Sequence, residues 1–181
     1  AERLDAQVAQ ELAPLKLDAA RFRTTLTAAE AGPNGVDRVE FQVSTNPGAP
    51  FGPLARIASG GELSRFILAL KVALAEAGNA RTMIFDEVDR GVGGAVASAI
   101  GERLARLAED AQVLVVTHSP QVAARAAHHY RIEKSHGGEG TRTTVRKLSP
   151  EERCEEIARM LSGAAITDEA RAQAARLMEA A

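Results

Sequence analysis

Two short apolar runs, Met83-Ile84-Phe85 and Val113-Leu114-Val115-Val116, flank a helical stretch with Val96, Ile100, Leu104 and Leu107 on one face. Strand, helix, strand at this spacing reads as a βαβ unit with parallel strands, both buried, and a right-handed crossover. That places the chain in the α/β class. It also says where chemistry belongs, because open parallel sheets carry their sites beyond the carboxyl ends of the strands. The first run ends in Asp86-Glu87, with Asp89 two positions on, and the second ends in Thr117-His118.

Upstream lies Ser59-Gly60-Gly61-Glu62, followed by Leu63, Phe66, Ile67, Leu70 and Leu74 at helical spacing, with Gly78 as the stop. A hydroxyl and two glycine amides at a helix start suit an anion. At the strand end one carboxylate, Asp86, suits Mg²⁺ held through water, and its neighbour Glu87 can orient an attacking water. His118 can meet a terminal phosphate at the same rim. Residue by residue the plainer alternatives stand: Asp86 caps a loop, Glu87 is solvated, His118 packs at a sheet edge, and the Ser-Gly-Gly turn is only a turn.

The remaining chain supplies supports. Leu4, Val8 and Leu12 form one helical stripe over residues 2–12, ended by Pro14; this is either an ordinary helix or the stump of a longer arm. Phe22, Thr24 and Leu26 alternate against Val39, Phe41 and Val43 across Gly32-Pro33-Asn34-Gly35, which predicts an antiparallel pair. The proline-rich stretch 46–53 is an extended loop. Ser119-Pro120 starts a helix with serine as its cap. Residues 130–134 and 141–148 form a hairpin. Ser149-Pro150-Glu151-Glu152 is a capping box for a helix that stops near Gly163, and Thr167 caps the last helix.

With 181 residues, 45% hydrophobic, the chain can bury one core. A formal charge of −2 supplies no global field toward nucleic acid, so any DNA contact needs a local patch. Candidates are Arg21 with Arg23, and Arg142, Arg146 and Lys147. The single cysteine, Cys154, rules out an internal disulfide framework and suits a reducing compartment. The apolar runs are too short for a membrane span, and Glu2, Arg3 and Asp5 argue against a leader. The expectation is a cytoplasmic protein with no membrane partner.

Ala58-Ser59-Gly60-Gly61-Glu62 resembles the signature motif of ABC-type ATPases. Met83-Ile84-Phe85-Asp86-Glu87 resembles their Walker B strand, Asp89 their D-loop and Thr117-His118 their H-loop. Within that superfamily the phrases from Ile57 to Arg65, Phe85 to Asp89 with Gly91, Gly93 and Gly94, Pro120 to Ala123, and Glu156 to Leu161 are similar to the RecN family of SMC-like repair ATPases. The resemblance runs from about residue 36 to 163. Arg90 and Ser119 depart from the family's usual residues. The resemblance implies that Asp86 completes a Mg²⁺ shell, that Glu87 polarises water and that His118 contacts the γ-phosphate of ATP. It implies that Ser59, Gly60, Gly61 and Glu62 form a site for the ATP of an opposite head, and that Asp89 couples the two sites of a homodimer.

No Gly-Lys dipeptide occurs in the chain, so the phosphate-gripping P-loop is missing from it. SMC-like heads join both ends of a polypeptide across a long coiled coil. On that likeness residues 1–15 end a coiled-coil arm and residues 16–181 are the C-terminal half of an ATPase head. Its partners are an N-terminal P-loop segment of the same protein, a second head and DNA, and the half alone is inactive. Two other classes stay open: a Mg²⁺-dependent phosphodiesterase or nuclease using Asp86, Glu87, Asp89 and His118, and a non-catalytic DNA-binding or dimerisation module.

Overall fold

The computed structural model describes the chain except residues 34, 57–59, 78–81, 87, 138–139, 164 and 181. It divides into two compact units, Ala1–Val116 and Thr117–Ala181. No helix among the described residues is long and apolar enough to cross a membrane.

The first unit opens with α1 (Glu2–Leu12) and a hairpin of β1 (Arg21–Gly32) and β2 (Gly35–Ser44). The hairpin is antiparallel as the alternation requires, with Phe22 opposite Val43, Thr24 opposite Phe41 and Leu26 opposite Val39. Gly35 holds φ +103°, a left-handed value that glycine adopts without strain. α1 ends at Leu12, before Pro14, and the reversal itself falls at Lys16, with φ +58°. Asp5 accepts from the backbone N–H and hydroxyl of Thr24 at 2.8 and 2.7 Å, which ties α1 to β1. The proline-rich loop delivers a two-residue strand, β3 (Gly52–Pro53), onto β2, which the loop reading did not foresee.

Next come α2 (Gly60–Ala77), β4 (Thr82–Asp86), α3 (Gly94–Asp110) and β5 (Gln112–Val116). β4 and β5 pair in parallel, Thr82 beside Gln112 through Asp86 beside Val116. The βαβ reading therefore holds, but the burial expectation does not. Met83, Phe85, Val113 and Val115 face inward, and of these only Phe85, at 2% exposure, is fully buried. The other face is open: Ile84, Leu114 and Val116 are 61%, 48% and 49% exposed. A strand in a parallel sheet needs both faces covered, and here only one is.

α2 is also turned from its expected orientation. Phe66 and Leu70 are buried as predicted, together with Leu68, Ala69, Val72 and Ala73, while Ile67 and Leu74 stay 39% and 46% exposed. Packing against α1, and to a lesser extent α3, buries the wider face. Leu74 lines a shallow hollow with Ile84, Lys71, Ala75, Thr82 and Met83.

In the second unit, α4 (Pro120–Ala124) leads to the β6 (Tyr130–Gly137) and β7 (Gly140–Lys147) hairpin, then α5 (Pro150–Ser162) and α6 (Asp168–Glu179). Its core is Ala124, Ile157, Ala158, Ala170 and Ala174, with Leu161, Ile166, Leu177 and Met178 packed around it. The Ser149 capping box is complete: Glu152 N–H donates to Ser149 Oγ and the Glu152 carboxylate accepts from Ser149 N–H. Gly163, at φ +74°, stops α5, and Thr167 caps α6. Ser119 sits at the cap position of α4, but its hydroxyl donates to Gln121 Oε1 and caps no backbone group.

Candidate functional site

The residues around the carboxyl end of β4 and the start of α2 belong to the first unit. Alternation along β4 puts Thr82, Ile84 and Asp86 on one face, and the parallel register sets Gln112, Leu114 and Val116 beside them. Asp86 therefore closes the open face of the sheet and is exposed. Its carboxylate is available to a hydrated cation, and the apolar rows leading to it lack a covering layer.

Beyond β4 the chain turns through Asp89 and Arg90, with Val92 N–H donating to the Asp89 carbonyl at 3.3 Å. Asp89 is fully buried and Val88 nearly so. The turn is thus fixed into the unit, and Asp89 is not offered at the surface as a free ligand. Arg90 is exposed beside it.

The helix start approaches this turn closely. Gly60 and Gly61 are the first residues of α2, and a methyl placed on Gly61 would lie 3.5 Å from the carbonyl oxygen of Arg90. That is ordinary van der Waals contact, so the helix start and the turn lie against each other there. The Ser64 hydroxyl donates to the Gly60 carbonyl at 2.9 Å, one helical turn back. Glu62 follows in the first turn, half-buried. Lys71 joins α2 to β4 from the other end: Nζ donates to the Ile84 carbonyl at 3.3 Å and lies 4.7 Å from the centroid of the Phe85 ring. Gly60 and Gly61 at the start of α2 thus lie beside the turn that follows β4, with Asp86 at the end of that strand and Asp89 in the turn. Ser59 and Glu87 lie outside the described residues. Among the described residues no group of three or more His, Cys, Asp or Glu converges as a ready-made metal cage.

His118 belongs to the second unit and is exposed. Ser119 N–H donates to Thr117 Oγ1 at 2.9 Å, a local turn that projects the histidine between them.

A polar cluster that the sequence reading passed over lies deeper in that unit. Arg153, on α5, donates to the carbonyls of Ala123 and Ala124 at the end of α4. Glu156 is buried and accepts from Arg159 at 2.5 Å and faces Arg131 at 3.4 Å. Hydrogen bonding from Arg159, with Arg131 and His129 adding positive charge, holds the Glu156 carboxyl below its usual range. Burial, and then the Arg153 guanidinium, push His129 below the usual histidine value. His129 Nδ1 is buried without a hydrogen-bond partner among the described residues. Three charges four residues or fewer apart on α5 were the only sequence signal, and such runs are more often solvated.

No family model matches the chain. It is 46% identical to DNA repair protein RecN of Streptomyces coelicolor over 194 residues, covering 100% of this chain and 34% of that protein. It is 51% identical to DNA repair protein RecN of Xylella fastidiosa over 147 residues, 81% of this chain and 26% of the relative. The RecN of Vibrio cholerae is 42% identical across the whole chain, which covers 33% of it. The chain thus spans about a third of the length of the curated relatives it matches. Among solved structures, the Smc head domain with a coiled coil and joint from Pyrococcus yayanosii superposes with TM-score 0.65 at 22% identity, over 86% of this chain and 28% of that one. A chain from a study of ATP-driven dimerization and DNA-stimulated activation of SMC ATPases superposes with TM-score 0.63 at 18% identity, over 91% of this chain and 94% of that one. The chain shares the fold of the matched parts of these SMC structures.

Proposed function

This chain belongs to the RecN family, and from that premise we propose that it is the C-terminal half of an ATPase head acting in DNA double-strand break repair. The observation that carries this is the half-covered parallel sheet. Ile84, Leu114 and Val116 form an apolar face that leads to Asp86, and a face of that kind calls for another layer. The occupant is the P-loop segment of the same protein, which would place phosphate-binding amides and a lysine beside Asp86. The extent of the relatives leaves ample chain to supply it.

In the assembled head Asp86 would hold Mg²⁺ through water, and the metal would supply charge neutralisation on the phosphates. Glu87 would orient the water, and His118 would donate to the terminal phosphate. Ser59, Gly60, Gly61 and Glu62 would present the start of α2 to the nucleotide of a second head. The contact of Gly61 with the Arg90 carbonyl sets the start of α2 beside the turn that carries Asp89. Asp89, buried at the same turn, would act by fixing that turn, so that each head feels the other. Residues 1–15 would end the coiled-coil arm. Cellular action would be cytoplasmic, at the nucleoid. The phosphodiesterase reading needs carboxylates converging from separate elements, and nothing among the described residues favours it.

The test is calorimetric ATP binding together with phosphate release, on the chain alone and after adding the P-loop segment in trans. The chain alone should neither bind ATP at micromolar concentration nor hydrolyse it, and the mixture should do both. Robust Glu87-dependent turnover by the chain alone would sink the half-head reading.

A further inference from the structure

The two basic groups picked out in the sequence differ in what they touch. On β7, Arg146 lies 2.6 Å from Glu152, and across the hairpin Arg131 reaches Glu133 and Glu156 at 3.0 and 3.4 Å. The charges of Arg146 and Arg131 are thus answered by carboxylates of the same unit, while none is seen for Arg142 or Lys147 among the described residues. On β1, Arg21 and Arg23 instead lie over the ring of Phe51, their guanidinium carbons 5.2 and 4.1 Å from its centroid. Neither pairs with a carboxylate among the described residues, and both are exposed.

Their setting is ordered. Arg23 donates from Nε and Nη2 to Gln42 Oε1 at 2.9 and 2.7 Å, and Gln42 Nε2 donates to Glu40 at 2.6 Å. The amide thus keeps its oxygen toward the arginine and its nitrogen toward the acid. Alternation puts Arg21, Arg23, Thr25 and Thr27 on one face of β1, and the register sets Ser44, Gln42, Glu40 and Arg38 opposite them. That face carries three arginines and one acid, while Phe22, Phe41 and Val43 take the other side. Guanidinium groups stacked on a ring lose little further freedom on binding, and their planar fork matches phosphate oxygens. Cations repeated every second residue, about 7 Å along an extended strand, suit a polyanion of regularly spaced charges better than a lone carboxylate.

We propose that this face of β1 and β2 contacts the sugar–phosphate backbone of nucleic acid; the proposal rests on reading the chain as part of a DNA repair head. Arg21 and Arg23 grip phosphates, Phe51 holds them in place and Arg38 extends the track. Such contacts position a duplex without reading its bases, so the surface serves any sequence. An overall charge of −2 makes it local.

The experiment is fluorescence anisotropy of a short labelled duplex, without nucleotide, across a series of salt concentrations. It uses the head reconstituted from this chain and the P-loop segment, and this chain alone. Replacing Arg21→Ala and Arg23→Ala together should weaken binding about tenfold or more at low salt, equally for two unrelated sequences. The slope of log affinity against log salt should flatten by roughly 2, because each arginine neutralises one phosphate. Phe51→Leu keeps both charges, so it should cost a few-fold in affinity and leave the slope alone. Circular dichroism checks that each variant is folded, and ATP turnover without DNA should be unchanged. An unaltered slope in the double variant, or a wild-type head that binds no duplex, overturns the proposal. A head that binds DNA through these arginines yet never hydrolyses ATP would sink the ATPase reading and leave this surface standing.

Discussion

At the scale of single residues, the buried part of the second unit's pH dependence lies in His129 and Glu156. His129 has a folded pKa below its ordinary value of about 6.5, lowered first by burial and then by Arg153. As pH falls through that ordinary value, the unfolded chain takes up the proton before the folded one, so stability declines on acidification. Glu156 is also lowered, first by its hydrogen bond from Arg159; its contribution is present above the usual carboxylate range and is lost as pH falls further. Both act in the same direction. The melting temperature should therefore fall from pH 7.5 to 5.5, and His129→Gln should flatten that upper part of the profile; parallel profiles would exclude His129 as the cause. Chemistry gives a second prediction at this scale. In the reconstituted head, Glu87→Gln should retain ATP binding and lower kcat by about a hundredfold or more, with ATP-bound dimers accumulating in light scattering. An unchanged kcat would remove Glu87 from the mechanism. Sequence made the acidic strand end and its glycine partner legible because those residues are short-range punctuation. It could not reveal His129 and Glu156, whose meaning comes from burial by α4, β6 and α5.

Elements were legible to the degree that local rules govern them. The helix at residues 2–12, the hairpin register across Gly32 and Gly35, and the Ser149 capping box follow from periodicity, turn chemistry and caps, and all are present. The face of α2 was misjudged because α1 packs on it, a contact distant in sequence. Ser119 sits at the cap position but accepts from no backbone N–H of α4; its hydroxyl donates to Gln121 Oε1. α1 is held at two points, by Asp5 on Thr24 and by Glu11 on Arg103 of α3, at 2.5 Å with side chains only 10% and 16% exposed. Removing one partner of so sheltered a pair strands the other, so Glu11→Ala should cost about 3 kcal/mol. Glu11→Leu with Arg103→Met should recover most of it, as urea titration of each variant would report. If Glu11→Ala costs under half that amount, α1 is not clamped through this pair. Ser149→Ala, which removes a cap on a helix whose core face is already packed, should cost only about 1 kcal/mol.

The whole molecule is decided by what its sheet leaves open. Strand runs as apolar as Met83–Phe85 and Val113–Val116 predicted two covered faces, yet Ile84, Leu114 and Val116 face outward. The sequence pattern was written for a sheet with layers on both sides, and this chain supplies one of them. On the half-head reading, that mismatch would put the missing layer on the face that carries Asp86. A charge placed there separates folding from assembly. Leu114 is 48% exposed in the chain alone, so Leu114→Asp should change its stability by no more than about 0.5 kcal/mol. If the P-loop segment covers that face, as proposed, the same carboxylate must be buried without a partner, at a cost of roughly 2 kcal/mol or more. Association with the segment should then weaken about thirtyfold, and ATP turnover of the mixture should fall with it at fixed concentrations. Ala29→Asp, on the exposed part of β1, serves as the control and should leave association intact. Calorimetric titration of the segment into each variant measures the difference directly. Equal affinities for Leu114→Asp and wild type would mean that the segment docks elsewhere, and that the open face of β4 and β5 belongs to some other layer.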